Sequence, residues 1–325
     1  MKDKLNRNID YLRLSITDRC NLRCKYCMGN KDIVFLPKDE LLSSNEIERL
    51  VKIFSELGIK KLRITGGEPL VRRNFREIVE NINNISGIEE INITTNGIRL
   101  EEELEFLSNK KIQSLNISLD TLKADLYKDI TGGGDINKVL NSIHKAISLK
   151  FKRIKLNVVL VKGKNDSEIM DFVNLTEKYP IDVRFIELMP IGLGKEFLPI
   201  SNDEVLSLIS KERSLTPFNK RIGSGPAKYY KTEKGIGCIG FITPISHNFC
   251  EQCNRIRVTP EGFLKLCLHW SSGLNLKELL RNGSSNEKIK EKILQAINDK
   301  PDKHNMEKKE EDKNFDKRYM NRIGG

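Results

Sequence analysis

The sequence predicts an α/β fold built as a partial (β/α)6 TIM-like barrel, followed by a C-terminal α+β extension. Three observations indicate this fold: six strand patterns alternate with helix patterns, the polar residues of the strands share one parity, and the pattern changes after Met189. Alternating strands and helices indicate parallel strands joined by right-handed crossovers. We therefore divide the 325 residues into a barrel at 1–190 and an extension at 191–325.

The six predicted strands are short runs in which apolar residues alternate or cluster. They lie at residues 11–17, 61–65, 91–95, 113–118, 154–161 and 182–188. Between them, apolar residues recur three and four positions apart, which predicts helices. These helices lie near residues 47–57, 75–82, 101–107, 139–147 and 169–173.

The strands predict a sheet with one apolar and one polar face. A parallel sheet covered by helices on both faces normally has nearly continuous apolar strands, yet Arg13, Arg63, Lys155 and Arg184 fall on a shared polar parity. Buried cations are costly unless they are paired. Either carboxylates pair with them, or a concave polar face surrounds an anionic ligand. One cation on each of four strands favours the ligand, and the concave face favours a barrel over an open doubly wound sheet.

The extension begins where Gly192 and Gly194 interrupt the pattern. A short helix is predicted near 203–209, and residues 229–242 and 254–268 predict short antiparallel strands. Helix returns from about residue 276. The Lys/Glu-rich stretch 300–313 predicts a solvated helix end or a flexible tail.

The composition limits the possible compartments and partners. Neither a signal-peptide pattern nor an apolar run of membrane-spanning length is present, so we expect a cytoplasmic protein without a membrane partner. Seven cysteines in a reducing compartment favour metal or catalytic use over disulfides. The net charge of +11 is typical of an ordinary basic surface or of an anionic partner. Aromatic residues make up only 6% of the sequence, and the cations on the polar face lie inside predicted strands. We therefore expect the anionic partner to be a nucleotide polyphosphate rather than a nucleic acid.

The first cysteine motif is Cys20, Cys24 and Cys27, spaced C-x3-C-x2-C directly after the first strand. Three thiolates on a short loop can hold three irons of a 4Fe–4S cluster and leave the fourth iron open for a ligand. A zinc site fits this motif poorly, because zinc sites favour C-x2-C pairs.

The second motif is Cys250, Cys253 and Cys267. Its spacing leaves two interpretations open: a second cluster with an open iron, or structural zinc with His247 or His269 as the fourth ligand. A zinc-bearing nucleic-acid-binding protein is therefore one alternative function. Cys238 belongs to neither motif and is predicted to be a packed thiol.

Residues 15–28, SITDRCNLRCKYCM, resemble the radical S-adenosylmethionine superfamily. Residues 241–268, FITPISHNFCEQCNRIRVTPEGFLKLCL, are similar to the second-cluster segment of the GTP 3′,8-cyclase family of molybdenum cofactor biosynthesis. The resemblance implies two 4Fe–4S clusters, S-adenosylmethionine as cofactor and GTP as substrate. A radical peptide or sulfatase maturase is the alternative within the superfamily, but those enzymes usually carry more C-terminal cysteines.

The resemblance also implies site residues. Contacts to S-adenosylmethionine are expected from Tyr26, Gly67 in the Gly66-Gly67-Glu68-Pro69 turn, Ser118 and Met189. Contacts to GTP are expected from Arg13, Arg63, Thr94, Lys155, Arg255 and Arg257. Arg255 or Arg257 is expected to act near the base, and the Gly324-Gly325 end is expected to reach the active site and to be needed for turnover.

The implied reaction begins when a 5′-deoxyadenosyl radical takes the hydrogen from ribose C3′. The sugar radical attacks guanine C8, and an electron and a proton complete 3′,8-cyclo-7,8-dihydro-GTP. Such a lyase needs an external electron donor and a downstream synthase that forms cyclic pyranopterin monophosphate. The sequence leaves open whether it is a monomer or a homodimer.

Overall fold

The computed structural model describes residues 1–29, 33–219, 225–306 and 314–324. Within these ranges, twelve strands form one mixed sheet. The strands are β1 Tyr11–Ser15, β2 Lys61–Thr65, β3 Glu90–Thr95, β4 Ile112–Ser118, β5 Ile154–Val159, β6 Ile181–Ile186, β7 Leu215–Pro217, β8 Lys228–Thr232, β9 Ile239–Ile242, β10 Arg255–Val258, β11 Phe263–Lys265 and β12 Gly273–Asn275. Their spatial order is β12-β11-β10-β1-β2-β3-β4-β5-β6-β9-β8-β7.

Helices connect and cover the strands. They are α1 Ser44–Glu56, α2 Phe75–Asn83, α3 Leu100–Ser108, α4 Ala124–Thr131, α5 Ile136–Ser148, α6 Ile169–Lys178, α7 Asn202–Ser210, α8 Leu276–Arg281, α9 Asn286–Asn298 and α10 Met320–Ile323. Short 3-10 turns occupy Lys38–Glu40, Pro69–Val71, Asp166–Glu168, Gly192–Glu196 and Cys250–Gln252. Within the described residues, no helix is both long and apolar enough to cross a membrane.

The predicted barrel strands are confirmed. Strands β1 to β6 lie side by side in chain order, all parallel, and each begins within one residue of its predicted start. Helix α1 shows how local sequence sets an element. The Ser43 side chain and Glu46 form a reciprocal capping box at its start, and Ile47 and Phe54 are buried on its inner face. The short helix α4 was not predicted.

The prediction of a purely antiparallel extension is wrong. Strand β9 pairs with β6, and strand β10 pairs with β1, both in parallel. The antiparallel pairings lie further out, between β7, β8 and β9 on one side and β10, β11 and β12 on the other. The extension thus covers both edges of the six-stranded barrel, which would otherwise expose unpaired backbone groups. Because strands from both parts share one sheet, the division at residue 190 remains a prediction.

The two faces of the sheet differ as their parity predicts. Leu12, Leu14, Leu62 and Ile64 belong to the continuous apolar core that the helices cover. The opposite face carries the polar residues of the alternate strand positions, and it borders a cavity. The position of Lys300 was predicted wrongly, because this residue is buried rather than solvated.

Candidate active site

A cavity of about 370 Å³ opens at the polar face of the sheet. Its lining combines residues at the carboxyl ends of β1–β6 with residues of β10 and the loops around it. Enzymes built on parallel barrels place their sites at this end of the strands. All six cysteines of the two motifs line this cavity.

The first cysteine loop is a tight turn folded around one carbonyl group. The backbone N–H groups of Cys27, Met28 and Gly29 all donate to the Cys24 carbonyl, each at 3.0 Å. Gly29 has φ +63°, and a Cβ there would lie 2.7 Å from Leu193 Cδ1. The positive φ therefore favours glycine at the end of this turn.

The loop is also fixed to α4. The Arg23 N–H donates to the Thr131 carbonyl at 2.8 Å, and the Lys25 N–H donates to the Ile130 carbonyl at 3.0 Å. These bonds hold the backbone of the cysteine loop against α4.

The three thiols lie in surroundings that disfavour bare thiolates. Burial raises the pKa of Cys20 to about 11, with the Glu68 carboxylate adding to the effect. Burial and the neighbouring Cys20 raise the pKa of Cys27 to about 12. Three thiolates crowded here need a compensating cation, which the irons of a cluster provide. The donor set therefore fits a 4Fe–4S cluster.

Tyr26 has a fixed orientation within the loop. Its hydroxyl donates to an Asp120 carboxylate oxygen, and the other carboxylate oxygen accepts from the Val159 N–H at 2.8 Å. Burial raises the pKa of Asp120 to about 6. The Tyr26 ring borders the cavity together with Ser118 and Met189, two other predicted cofactor contacts.

The Gly66-Gly67-Glu68-Pro69 turn lies directly against the start of the cysteine loop. The Gly67 N–H donates to the Thr17 carbonyl and the Glu68 N–H to the Arg19 carbonyl, both at 2.8 Å. A Cβ on Gly67 would lie 2.5 Å from the Arg19 carbonyl oxygen. Only glycine permits this close approach, and it leaves Gly67 on the cavity wall.

The second cysteine group lies across the cavity. The Cys253 N–H donates to the Cys250 carbonyl at 3.1 Å, and Cys267 follows β11. Burial raises the pKa of Cys253, but Lys300 and Arg255 outweigh burial and lower it to about 7. The thiolate of Cys253 is favoured by nearby positive charge, and three cysteines lining one cavity also fit a cluster.

The histidines considered for zinc do not line the cavity. The His247 Nε2 atom lies 2.9 Å from an Asp203 carboxylate oxygen at an exposed position. His269 packs against the rings of Trp270 and Phe315. Among the described residues, no three His, Cys, Asp or Glu side chains converge to hold a single metal ion. Cys238 is buried away from both groups, as predicted.

A row of arginines forms the floor of the cavity. The Cα positions of Arg257, Arg13 and Arg63 are paired in register across β10, β1 and β2. The Arg63 guanidinium donates to Thr94 Oγ1 at 3.3 Å, and the Arg255 guanidinium lies 4.7 Å from the centre of the Phe249 ring.

Mutual repulsion is visible in this row. Burial, Arg257 and Arg63 lower the pKa of Arg13, and burial and Arg255 lower the pKa of Arg257 to about 10. Among the described residues, Arg63, Arg255 and Arg257 form no ion pair with a carboxylate. The cavity therefore favours an anion.

The structure does not bring Lys155 to the cavity with the other predicted substrate contacts. Lys155 is the second residue of β5 and is buried, and burial, Arg184 and Arg63 lower its pKa. Asn157, two residues nearer the carboxyl end of the strand, lines the cavity instead. Distance along the strand, which parity does not encode, separates the two positions.

The end of the sequence reaches the arginine row. The Gly324 carbonyl accepts a hydrogen bond from an Arg257 Nη atom, and Asn321 donates to the Asp18 carbonyl at 2.9 Å. Gly324 has φ +85°, and a Cβ there would lie 2.8 Å from Ser15 Cβ. Gly325 lies outside the described residues.

Several cavity residues were absent from the predicted site. Arg184 lines the cavity. It could have been predicted from the sequence, because it falls among the alternate strand positions that face the cavity. Asp120 could also have been predicted, since it follows Ser118 by two residues just after the end of β4. His304 lines the cavity and lies 2.8 Å from the Pro244 carbonyl oxygen. Nothing in the sequence indicated that His304 belongs to the site, because this residue falls in the stretch predicted to be solvated.

Two family descriptions match this chain. The Radical SAM superfamily matches residues 14–176, and Molybdenum Cofactor Synthesis C matches residues 181–306. The fold and the cysteine-lined cavity thus define a radical S-adenosylmethionine enzyme. A GTP 3′,8-cyclase from Clostridium perfringens is 51% identical over 326 residues, covering 100% of both chains. Another from Syntrophomonas wolfei is 46% identical over 328 residues, again covering 100% of both chains. The chain belongs to the GTP 3′,8-cyclase family, whose cofactors are two 4Fe–4S clusters and S-adenosylmethionine.

Solved structures share the fold at low sequence identity. Streptococcus suis SuiB bound to S-adenosylmethionine has a TM-score of 0.61 at 15% identity, covering 84% of this chain and 64% of SuiB. SuiB bound to its precursor peptide SuiA has a TM-score of 0.62 at 16% identity, covering 92% and 67%. The likeness concerns the fold alone.

Proposed function

We propose that this enzyme converts GTP to (8S)-3′,8-cyclo-7,8-dihydroguanosine 5′-triphosphate, a lyase reaction of molybdenum cofactor biosynthesis. One observation carries the proposal: a row of three arginines in register lies in the same cavity as both cysteine groups. The cysteines provide for radical chemistry, and the arginines provide for a polyanionic substrate. The relatives' shared name supports GTP as that substrate.

In this proposal, Cys20, Cys24 and Cys27 hold the first cluster. The second cluster is held by Cys250, Cys253 and Cys267. The chemistry that the bound cofactors supply is reductive cleavage of S-adenosylmethionine, which yields the radical that takes the ribose C3′ hydrogen. The residues of this chain position the cofactor and the substrate and exclude water.

Tyr26, Gly67, Ser118 and Met189 orient S-adenosylmethionine beside the first cysteine group. The hydrogen bond to Asp120 fixes the Tyr26 ring, and the bare backbone of Gly67 permits close approach. All four residues line the same cavity as the first cysteine group and would hold S-adenosylmethionine there.

The triphosphate and ribose of GTP lie against the arginine row. Arg13, Arg63 and Arg257 present planar guanidinium groups that bind phosphate oxygens in pairs. Arg255 lies at the start of β10 beside the second cysteine group, where it can act near the base. The Thr94 hydroxyl orients Arg63. A contact from Lys155 to GTP remains a prediction; Lys155 is buried and is an electrostatic neighbour of Arg63.

The Gly324-Gly325 end holds Arg257 through the Gly324 carbonyl. Gly324 also packs closely against Ser15 of β1. We infer that this end sets the direction of the Arg257 guanidinium and excludes water from the reacting sugar. A small one-electron donor and a downstream synthase that accepts the product complete the proposed sequence. The cytoplasmic location and the choice between monomer and homodimer remain predictions.

Nucleotide binding tests the substrate assignment. Anaerobic calorimetry on the cluster-loaded enzyme would compare GTP, guanosine and ATP. We expect GTP to bind at least tenfold more tightly than guanosine, because charge-assisted phosphate contacts contribute about 1.5–3 kcal/mol each. Equal affinities for GTP and guanosine would contradict a phosphate-binding arginine row. Equal affinities for GTP and ATP would contradict selection of the guanine base.

A further inference from the structure

A buried ammonium group lies beside the second cysteine group. Lys300 follows α9 and is only 2% exposed. Its Nζ atom donates to the Arg255 carbonyl at 3.0 Å and also to the Leu266 carbonyl. Arg255 comes two residues after Cys253, and Leu266 comes one residue before Cys267. One side chain therefore joins the two backbone segments that carry these cysteines.

A second buried cation supports the third cysteine. The Arg7 guanidinium donates to the Cys250 carbonyl at 3.0 Å and to the Pro301 carbonyl at 2.9 Å. Its Nε atom lies 2.6 Å from an Asp3 carboxylate oxygen, and both side chains are buried. Arg7 thus has its own counter-ion within the N-terminal segment.

Lys300 differs from Arg7 in its charge balance. Backbone carbonyls satisfy its hydrogen bonds but carry no net charge. Within the described ranges, Lys300 forms no ion pair with a carboxylate. A buried ammonium without an anion costs several kcal/mol. Cys253 and Cys267 are electrostatic neighbours of Lys300, and as ligands of a cluster they would carry the negative charge that Lys300 lacks as a partner.

The first cysteine group lies in the opposite kind of environment. Two buried carboxyl groups, Glu68 and Asp120, line the cavity near it. Its loop is fixed by backbone bonds to α4 rather than by a buried lysine. Any effect of Lys300 should therefore be confined to the second group.

We propose that Lys300 is the charge-compensating and positioning residue of the second cluster. Its ammonium group balances the negative charge of the thiolate-ligated cluster and holds the Cys253 and Cys267 segments together. Reduction adds an electron to the cluster, and a nearby buried cation favours that added negative charge. Lys300 thereby raises the reduction potential of the second cluster. The inference rests on the proposed assignment of Cys250, Cys253 and Cys267 to that cluster.

The test uses full-length protein in which Cys20, Cys24 and Cys27 are replaced by alanine, so that only the second cluster is present. Iron is counted, and the reduction potential is measured by anaerobic titration followed by electron paramagnetic resonance. Lys300→Gln keeps hydrogen-bond donors and removes the charge. Lys300→Arg keeps the charge. Lys288→Met removes an exposed charge from α9 and serves as the matched control.

We expect Lys300→Gln to bind the cluster with a more negative potential or to lose iron, and Lys300→Arg and Lys288→Met to match the parent. An unchanged potential and iron content in Lys300→Gln would overturn the proposal. A loss of thermal stability alone would also overturn it, since that would show a purely structural role. If Lys300→Gln does not fold, Lys300→Arg provides the test. Loss of the cluster in Lys300→Arg, which retains the positive charge, would contradict the charge-compensating role of Lys300. A parent protein that binds no iron overturns the cluster assignment itself, and this inference with it.

Discussion

Arg13 and Arg257 are side-by-side neighbours on two parallel strands, although 244 positions separate them in the chain. Arg63 extends the same row from the other side of Arg13. Neighbouring strands lie about 4.8 Å apart, so the three guanidinium groups start from closely spaced positions on one face. We propose that this row binds the anionic part of the substrate.

The first prediction concerns Arg13, the central residue of the row. Arg13→Met should weaken GTP binding at least tenfold, because it removes a charge-assisted contact of about 1.5–3 kcal/mol. Calorimetry on the cluster-loaded enzyme measures the affinity. The control Arg76→Met removes an exposed arginine of α2. Unchanged GTP affinity in Arg13→Met would contradict the assignment of the row.

The sequence predicted the barrel because its signals are local. Strands β1 to β6 have a period of two and the helices between them a period near 3.6, and both patterns can be recognised within a short window. The inward parity of Arg13 and Arg63 also follows from the period of two. From these features, most of the candidate site residues could be assigned to one face of the sheet without knowledge of any tertiary contact.

The remaining features depend on distant parts of the chain. Parallel pairing of β9 with β6, and of β10 with β1, is decided by packing across the whole sheet, and no turn or spacing signal encodes it. Lys300 lies in a charged stretch whose composition predicts solvent exposure, yet carbonyls from two other segments surround its ammonium group. The parity of Lys155 gives its face of the sheet but not its depth.

The second prediction concerns Gly324. Gly324→Ala should lower kcat at least tenfold, because positive φ strains a non-glycine residue by about 1–3 kcal/mol and the new Cβ would lie 2.8 Å from Ser15 Cβ. Adding Ser15→Gly removes the contact but not the strain, so the double variant should recover part of the activity. Steady-state kinetics at saturating GTP checks this order. Full activity of the single variant would show that Gly324 need not approach Ser15.

The third prediction concerns the anchor of the final segment. Lys265 is fully buried and donates to the Asp316 carboxylate, which Arg318 also contacts at 2.8 Å. Removing one partner of a buried pair leaves an uncompensated charge. Asp316→Asn should therefore cost about 3 kcal/mol in the free energy of unfolding. The double variant with Lys265→Met should cost less than Asp316→Asn alone. Denaturant unfolding measures both.

The pH dependence of this anchor follows from the direction in which the pKa of Asp316 is shifted. Burial raises the pKa of Asp316, but hydrogen bonds from Arg318 and Lys265 outweigh burial and lower it below 3.8. A carboxyl group with a lowered pKa contributes its stability above the unfolded pKa and loses it only as pH falls through the folded pKa. The cost of Asp316→Asn should therefore be constant between about pH 5 and pH 8. A cost that disappears within that window would contradict the ionised pair.

The fourth prediction separates ligating from packed cysteines. Cys250→Ala should reduce bound iron from about eight to about four per chain, since each cluster holds four. Cys238→Ala is the matched control, because Cys238 is buried at 4% exposure and does not line the cavity. It should retain all the iron. Iron loss in Cys238→Ala, or none in Cys250→Ala, would contradict the proposed ligand set.

The most direct test of the proposed function is anaerobic reconstitution with iron and sulfide, followed by dithionite, S-adenosylmethionine and GTP. We expect about eight irons per chain, and 5′-deoxyadenosine that accumulates only when GTP is present. Four irons together with zinc, or deoxyadenosine formed regardless of GTP, would contradict the second cluster or the substrate and leave only the first cysteine site in place.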